Sequence, residues 1–421
     1  MYKTGQEISR TTKRSWKEQL GLFEAHENLD FKGSDTQYST HGLHTYVAAM
    51  VPQLAETLVT TYVPEGEKVL DPFCGGGAVL VECIRHGRHA AGADINPLAV
   101  LISKVKSTQI SKRSLEEACK YVQIQSSRGL NGSVTFPSNY NVEYWFHSST
   151  IAQLSAIIGA INKCRDERLF SKAVLDALKV VFSATVRDVM LTYRNEVRLR
   201  RLEPKDLERF RPNAFNSFAL RSRLAIERIS RLPKGAKSQV QCCNVVELPY
   251  DDDSFHSIIC SPPYGDERNG VSYLQFSKYM LYWLGFPRDA VAESRGKTLG
   301  YTDSETNLPS LTLQKAFANI ATTDDDKRGL NFYRDYYFGL RQMARVTKKY
   351  IIVVIGNRVL KQTLIENGKI TTELMTSLGY KLFKRFERTL PSKRLPKLRR
   401  ESNHGFGGAI DKEDILIFQP D

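Results

Sequence analysis

The stretch Lys68-Val69-Leu70-Asp71-Pro72-Phe73-Cys74-Gly75-Gly76-Gly77 decides how the rest of the chain is read. A short apolar entry leads to an acid, a proline and three consecutive glycines, and Ala78 to Arg88 follows with helical spacing. Glycine permits tight turns and lets ligand atoms approach the backbone closely. His89 to Ala93 reads as the next strand and ends at Asp94, so Lys68 to Asp94 forms one strand–loop–helix–strand unit. Asp94 lies 23 residues beyond Asp71, at a strand tip. An ionised carboxylate there only accepts hydrogen bonds and suits a ribose diol. The glycines do not form G-x-G-x-x-G, and no Gly-Lys-Ser/Thr follows, which weakens dinucleotide and triphosphate readings. A glycine loop by itself is often a structural turn. The strand, the helix and the spaced acid together favour a cofactor site.

Working outward, Thr45 to Tyr62 is predicted as a helix, with Val47, Met50, Val51, Leu54, Leu58 and Val59 at helical spacing. From about Leu98 to Leu232 the pattern is mostly helical and highly charged; Ile151–Lys163 and Leu169–Val186 are its clearest helices. Gln239–Cys243 and Ser257–Cys260 read as strands, and the second runs directly into Ser261-Pro262-Pro263-Tyr264-Gly265. Tyr273–Leu284 is an aromatic-rich helix. Pro287–Asp326 is polar and reads as a long loop or small subdomain. Leu330–Val346 and Thr371–Leu378 are helical, while Tyr350–Ile355, Tyr380–Arg388 and Ile415–Phe418 are strands, the last two an antiparallel hairpin at one edge. Strands alternating with helices predict an α/β fold with a largely parallel sheet.

The implied organisation is an N-terminal segment (1–40), a cofactor-side part of the core (41–97), a helical insertion (98–236), a catalytic part of the core (237–286), a loop or subdomain (287–328) and a C-terminal part of the core (329–421). The helical insertion and the 287–328 subdomain are the candidates for target recognition.

The chain of 421 residues is 41% hydrophobic and 25% charged, ordinary for a globular protein. No apolar run reaches the roughly 18 residues of a membrane span. Met1–Glu18 is polar and basic without an apolar core, so a secretory signal is not expected. The seven cysteines include no C-x-x-C pair, and Cys242 and Cys243 are adjacent. Free thiols in a reducing, cytoplasmic compartment are expected. His41 and His44 come closest to a metal site but lack further ligands, so no metal is expected. The formal charge of +14 points to a polyanionic partner, nucleic acid first, with general solubility as the plainer explanation.

Ser261-Pro262-Pro263-Tyr264 sits at the carboxyl end of a buried strand, where ligands of open α/β sheets bind. Two prolines fix a rigid loop, because each lacks an N–H and restricts the residue before it. A serine hydroxyl and a proline carbonyl can accept hydrogen bonds from an amino group, and the tyrosine offers a flat face. That suits the exocyclic amine of a base, a poor nucleophile whose lone pair is delocalised into the ring. A Pro-Pro surface turn with an incidental tyrosine is the competing explanation.

Together, Asp71-Pro-Phe-Cys-Gly-Gly-Gly77 and Ser261-Pro-Pro-Tyr264 resemble the amino-group DNA methyltransferases, which methylate N4 of cytosine or N6 of adenine. His41-Gly-Leu-His-Thr-Tyr46 resembles the family's segment ahead of the glycine motif, and Ala93-Asp-Ile-Asn-Pro97 its second motif. The resemblance spans roughly two thirds of the chain, leaving the helical insertion and Pro287–Asp326. It implies a Rossmann-like S-adenosylmethionine-dependent methyltransferase sheet with a mostly helical insertion and a terminal antiparallel hairpin. It also implies S-adenosyl-L-methionine as cofactor, held by His44, Thr45, Asp71, Pro72, Phe73, Cys74, Gly75, Gly77, Asp94, Ile95, Asn244 and Val245. Asp94 would take the ribose and Ile95 the adenine face. Asn244 stands where the family usually carries an acid, and Ala78 replaces a frequent threonine. Ser261, Pro262, Pro263 and Tyr264 would hold the target base, flipped out of duplex DNA.

A leading serine in this motif goes mostly with cytosine-N4 enzymes, which makes N4 of cytosine the expected target and adenine N6 the alternative. An RNA base methyltransferase is a further option, disfavoured by the lack of an N-terminal RNA-binding domain. A restriction endonuclease is the companion such an enzyme would have. Candidate DNA contacts are Arg198 and Arg201 in an arginine-dense segment, Arg268 and Asn269 after the Pro-Pro motif, and Lys393 and Arg394. The last two lie in Lys381–Arg400, which has nine Lys or Arg in twenty residues. Solvated helix or hairpin faces would explain the same charge runs.

Overall fold

The computed structural model describes residues 29–129, 132, 134–138, 140–194, 199–265, 273–300, 307–318, 324–360, 363–390 and 412–421. A short 3-10 turn, His41–Leu43, precedes helix α1 (Pro52–Tyr62). The helix starts at Pro52, not at Thr45 as the apolar spacing suggests. Proline suits the first helical position and forces the residue before it, Val51, into extended conformation. Residues 45–51 are instead irregular chain. The predicted unit then follows as β1 (Lys68–Asp71), α2 (Ala78–Arg85) and β2 (His89–Asp94).

Helix α3 (Pro97–Lys106) starts at a proline capped by Asn96, whose side chain accepts from the Leu98 amide. It lies on β2 and β3 (Ser238–Cys242). Between them come α4 (Lys112–Ser127), α5 (Val142–Trp145), α6 (Ser148–Asp166), α7 (Lys172–Val189), α8 (Pro204–Leu207) and α9 (Ala214–Ile229). Strand β4 (Phe255–Cys260) and helix α10 (Tyr273–Trp283) follow.

Where a polar loop is expected, the chain instead forms helices α11 (Arg288–Gly296) and α12 (Leu311–Ala318), and α13 (Asp324–Val346) starts earlier than its apolar pattern. Their polar faces hide the helical period, but Val291, Leu308 and Leu313 are buried. The chain closes with β5 (Thr347–Gly356), a small hairpin of β6 (Arg358–Leu360) and β7 (Thr363–Ile365) that the sequence does not announce, α14 (Asn367–Thr376), β8 (Tyr380–Thr389) and β9 (Lys412–Pro420).

Seven strands form one sheet in the order β3-β2-β1-β4-β5-β9-β8, parallel from β3 to β5, with β9 antiparallel to both β5 and β8. This is an α/β Rossmann-like fold. β5 decides its layering. Ile351, Val353 and Ile355 pack towards α13 and α14, while Tyr350, Ile352 and Val354 pack towards α1 and α2. Its run is apolar without alternation because both faces are covered. A third apolar cluster joins α3, α4, α6, α7, α9 and α10 around buried Phe146, Phe182 and Trp283. Among the described residues no helix is long and apolar enough to cross a membrane. All seven cysteines are free thiols.

The segment ahead of α1 is fixed to the helix behind the glycine loop by a buried carboxylate. Glu82 of α2 takes the Tyr38 hydroxyl at 3.0 Å and His41 Nε2 at 2.6 Å on one oxygen, and Arg85 Nη1 at 2.5 Å on the other. Thr40 Oγ1 donates to the Lys106 carbonyl at 2.6 Å, and Lys106 Nζ to the His44 carbonyl at 2.8 Å. Glu56, Glu82 and His86 bring three ligand-type atoms within 4.8 Å of one another. The Arg85 guanidinium, 2.5 Å from Glu82 and 3.7 Å from Glu56, already supplies the cation there. Burial alone would raise the Glu82 carboxyl, but hydrogen bonds from His41 and His86 and the Arg85 charge hold it at about 2. A depressed carboxylate stabilises the fold above its unfolded value of 4.5 and loses that contribution as pH falls towards about 2. Replacing Glu82 with alanine strands its buried partners and is expected to cost about 3 kcal/mol, read by urea unfolding at neutral pH. The gap to wild type should close in acid.

Candidate active site

The chain leaves β1 towards β2 and β3 on one side and returns in β4 on the other, so the carboxyl ends of β1 and β4 flank the point where the strand order reverses. A cleft of about 920 Å³, counted out to its open mouth, lies there. Its wall comes from Tyr46–Met50, Asp71–Gly76, Asp94–Asn96, Cys243–Val245, Ser261, Pro263, Tyr273, Leu274 and Lys297–Leu299.

The glycine loop is shaped by what presses on it. Gly75 and Gly77 both hold left-handed backbone, φ 45° and 78°. A Cβ on Gly77 would sit 2.9 Å from Ser103 Cα in α3, and one on Gly76 would sit 2.9 Å from Tyr46 Cβ. The Gly75 amide donates to Asp94 Oδ2 at 2.9 Å, and the Asn96 amide to Asp94 Oδ1 at 2.8 Å. Each Asp94 oxygen thus keeps lone pairs for a diol. Asp71 Oδ1 accepts from the Phe73 amide at 3.1 Å. Burial raises Asp71 to about 8, helped by the neighbouring Asp94 charge, and raises Asp94 to about 6. Two carboxyls resisting ionisation side by side suit a positively charged ligand, which would relieve both. The cleft thus suits two features of S-adenosylmethionine, its ribose diol and its sulfonium.

Asn96 is a hub that the sequence marks only as part of the Ala93–Pro97 motif. Its Nδ2 donates to Tyr46 Oη at 2.9 Å and Ser277 Oγ at 2.7 Å. The Tyr46 ring stacks near Tyr273 with centroids 6.3 Å apart, so these rings close the cleft between the glycine loop and α10.

Across the cleft, Pro262 is buried, and Ser261 and Pro263 face the cavity. The rest of the loop is held from behind. Asn367 Nδ2 donates to the Tyr264 carbonyl at 3.2 Å and the Gly356 carbonyl at 2.8 Å, and its Oδ1 accepts from Tyr333 at 2.6 Å. Arg358 Nη1 donates to the Gly265 carbonyl. Tyr264 Oη donates to Glu413 Oε1 at 2.6 Å and lies 3.5 Å from Ser261 Oγ. Asn367, Arg358 and Glu413 carry no motif in the sequence; only the fold brings them here.

The remaining expected residues are placed unequally. His44 is buried and turned towards the helical layer. Its Nε2 pairs with Ser183 Oγ at 2.9 Å and its Nδ1 with the Thr45 carbonyl at 2.7 Å, and burial drops its imidazole to about 3, neutral at physiological pH. Thr45 is exposed. The wall is built by the next residues, Tyr46 to Met50. Asn244 lines the cleft, but its Oδ1 accepts from the Val246 amide at 3.3 Å and its Nδ2 donates to the Lys297 carbonyl at 3.2 Å. It therefore straps Lys297–Leu299 across the cleft, and the strap's far end is fixed by the Gly300 amide on Asp335 Oδ2 at 2.7 Å.

Arg201 lies 4.3 Å above the Tyr144 ring and donates to the Tyr144 carbonyl. Its strand partner is Thr192, in a turn held by buried Arg187 through Thr192 Oγ1 at 2.5 Å and the Tyr193 carbonyl at 3.0 Å. Arg198, Arg268, Asn269, Lys393 and Arg394 lie outside the described residues.

The chain has relatives among known proteins. A family model described as DNA methylase covers residues 2–105. The Type II methyltransferase M.MvaI of Kocuria varians is 31% identical over 413 residues, covering 89% of each chain. M.MjaII of Methanocaldococcus jannaschii, also a Type II methyltransferase, is 32% identical over 108 residues, 25% of this chain and 20% of its own. A tRNA (guanine(10)-N2)-dimethyltransferase of Methanothermobacter thermautotrophicus is 42% identical over only 52 residues, 12% of this chain and 16% of its own. The near-complete match decides the assignment: this chain belongs to the S-adenosylmethionine-dependent, amino-group DNA methyltransferases.

Proposed function

We propose that this enzyme methylates the exocyclic N4 of cytosine at a specific site in duplex DNA, as the modification partner of a restriction endonuclease. The observation that carries the choice of base is Ser261. A hydroxyl, not a carboxylate or amide, leads the Pro-Pro-Tyr loop at the cleft, and in this family a serine there goes mostly with cytosine. The match to a Type II methyltransferase over 89% of both chains supports a site-specific role.

When bound, S-adenosylmethionine supplies an electrophilic methyl group on a sulfonium. Gly75, Gly77, Pro72, Phe73 and Cys74 form the cradle for its methionine end, beside Asp71. Asp94 takes the ribose hydroxyls, and Ile95, with Cys243 to Val245 and the Lys297–Leu299 strap, encloses the adenine. Tyr46 and Asn96 hold the floor in place of His44 and Thr45, whose part is to anchor that segment. The target cytosine leaves the stack, as it must for its N4 to reach a buried donor. Ser261 Oγ and the Pro262 carbonyl accept the two amino hydrogens. This draws the amine towards tetrahedral geometry and aims its lone pair at the methyl carbon. Tyr264 stacks on the base. Arg201, with Arg198, Arg268, Asn269, Lys393 and Arg394, contacts the DNA around it, the cations neutralising phosphates. The helical insertion and the 287–328 segment share target recognition.

Incubating duplex DNA with enzyme and labelled cofactor, then separating nucleosides, should place the label in N4-methylcytosine. Label in 6-methyladenine alone, or on tRNA but not duplex DNA, would overturn the choice of substrate. Ser261→Ala should leave cofactor affinity within about twofold while lowering kcat about a hundredfold, as loss of a transition-state acceptor does. Cofactor affinity, measured by calorimetry, should rise by about tenfold from pH 5 to pH 7 as Asp94, held near 6, ionises to meet the diol. In Asp94→Asn the affinity should be lower and that rise largely gone; an unchanged pH profile would remove Asp94 from the site.

A further inference from the structure

We propose that Glu413, paired with Arg388, is a positioning residue that turns the Ser261 hydroxyl into an obligate acceptor, acting through Tyr264; this rests on Ser261–Tyr264 being the loop that holds the target amine. Glu413 and Arg388 are cross-strand partners on β9 and β8, at the same edge of the sheet as the carboxyl ends of β4 and β5. Arg388 Nε lies 2.9 Å from Glu413 Oε2, and the two side chains are 3% and 12% exposed. The other Glu413 oxygen receives the Tyr264 hydroxyl at 2.6 Å.

Hydrogen-bond direction sets the role of this pair. A carboxylate paired with a guanidinium has no proton to give and can only accept. Tyr264 must therefore donate to it, and burial together with the Glu413 charge pushes the phenol well above its ordinary value, so its proton stays on. Having spent its one proton, Tyr264 Oη can only accept from Ser261 Oγ, 3.5 Å away, a contact at the outer limit for a hydrogen bond. The serine proton is thereby drawn towards Tyr264, and its lone pairs are left for the hydrogens of an incoming amine. Without Glu413 the Tyr264 proton can turn back to Ser261, whose own proton then competes with the amine. The same bond fixes the Tyr264 ring, which its backbone alone leaves free to rotate.

The test is a double-mutant cycle in the full-length enzyme on duplex DNA. Glutamine at 413 keeps the shape but can donate to Tyr264 as well as accept. Glu413→Gln is expected to lower kcat about tenfold, with the cofactor Kd and the KM for DNA within about twofold. In a Tyr264→Phe background the path to Ser261 is gone, and the same change should alter kcat by less than about twofold. Since glutamine leaves Arg388 buried without its carboxylate, the double variant Arg388→Met/Glu413→Gln, which removes both charges, guards against misfolding and should show the same kcat loss. Losses that multiply in the Tyr264→Phe background, or a wild-type kcat for Glu413→Gln or for the charge-free pair, would overturn the proposal. Full activity of Ser261→Ala would instead overturn the acceptor-loop assignment beneath it.

Discussion

The bond from the Gly75 amide to the Asp94 carboxylate is the constraint on which the rest of the molecule depends. It joins the loop after β1 to the tip of β2, two strands that are neighbours in the sheet. To make it, the loop must run so close to Tyr46 and α3 that Gly76 and Gly77 have no room for a side chain. The wall beside it is then placed by reference to it. Asn96 follows Asp94 by two residues, caps α3 and fixes both Tyr46 and α10. The Glu82 network fixes the chain leading to Tyr46 from the opposite side.

The two halves of the site differ in how they are held, and the difference suits their tasks. The cofactor half relies on backbone amides, those of Phe73, Gly75 and Asn96, which fix the Asp71 and Asp94 carboxylates. The acceptor half relies on side chains drawn from distant elements: Asn367 of α14, Arg358 of β6 and Glu413 of β9 all reach the loop after β4 from beyond it in the chain. Such a loop is rigid only when the far side of the sheet is complete. Under the proposed mechanism this preorganisation carries catalytic weight, because the acceptors are already aimed when the substrate arrives.

The cofactor half was legible because its chemistry is local. Asp71, the three glycines and Asp94 sit within one strand–loop–helix–strand unit, and the backbone demands of that unit select those residue types. Ser261-Pro-Pro-Tyr264 was legible for the same reason, since proline restricts the chain whatever surrounds it. The helix expected from Thr45 failed at Pro52, where proline's preference for a first turn outweighed apolar spacing that serves cleft and core from an irregular chain. Helices α11 and α12 were hidden because each buries only one or two residues, too few to impose a period. Asn244 could be placed at the cleft but not oriented, since its partner Lys297 lies over fifty residues away in a segment with no motif. Glu413 and Arg388 were invisible because their meaning comes from strand order alone.

That strand order also fixes when the enzyme can come into being. β9 is the last strand in the chain yet lies second from the edge of the sheet, between β5 and β8. Domains form from the N-terminus as synthesis proceeds, at about 5–20 residues per second. A growing chain that has emerged through β5 holds the glycine loop, Asp94, the helical layer and Ser261, all the residues that line the cleft. It has nothing to set between β5 and β8, and no carboxylate behind Tyr264. The support behind the Ser261 loop is therefore the last part of the cleft to be put in place, when β9 slots between β5 and β8 and brings Glu413 to Tyr264.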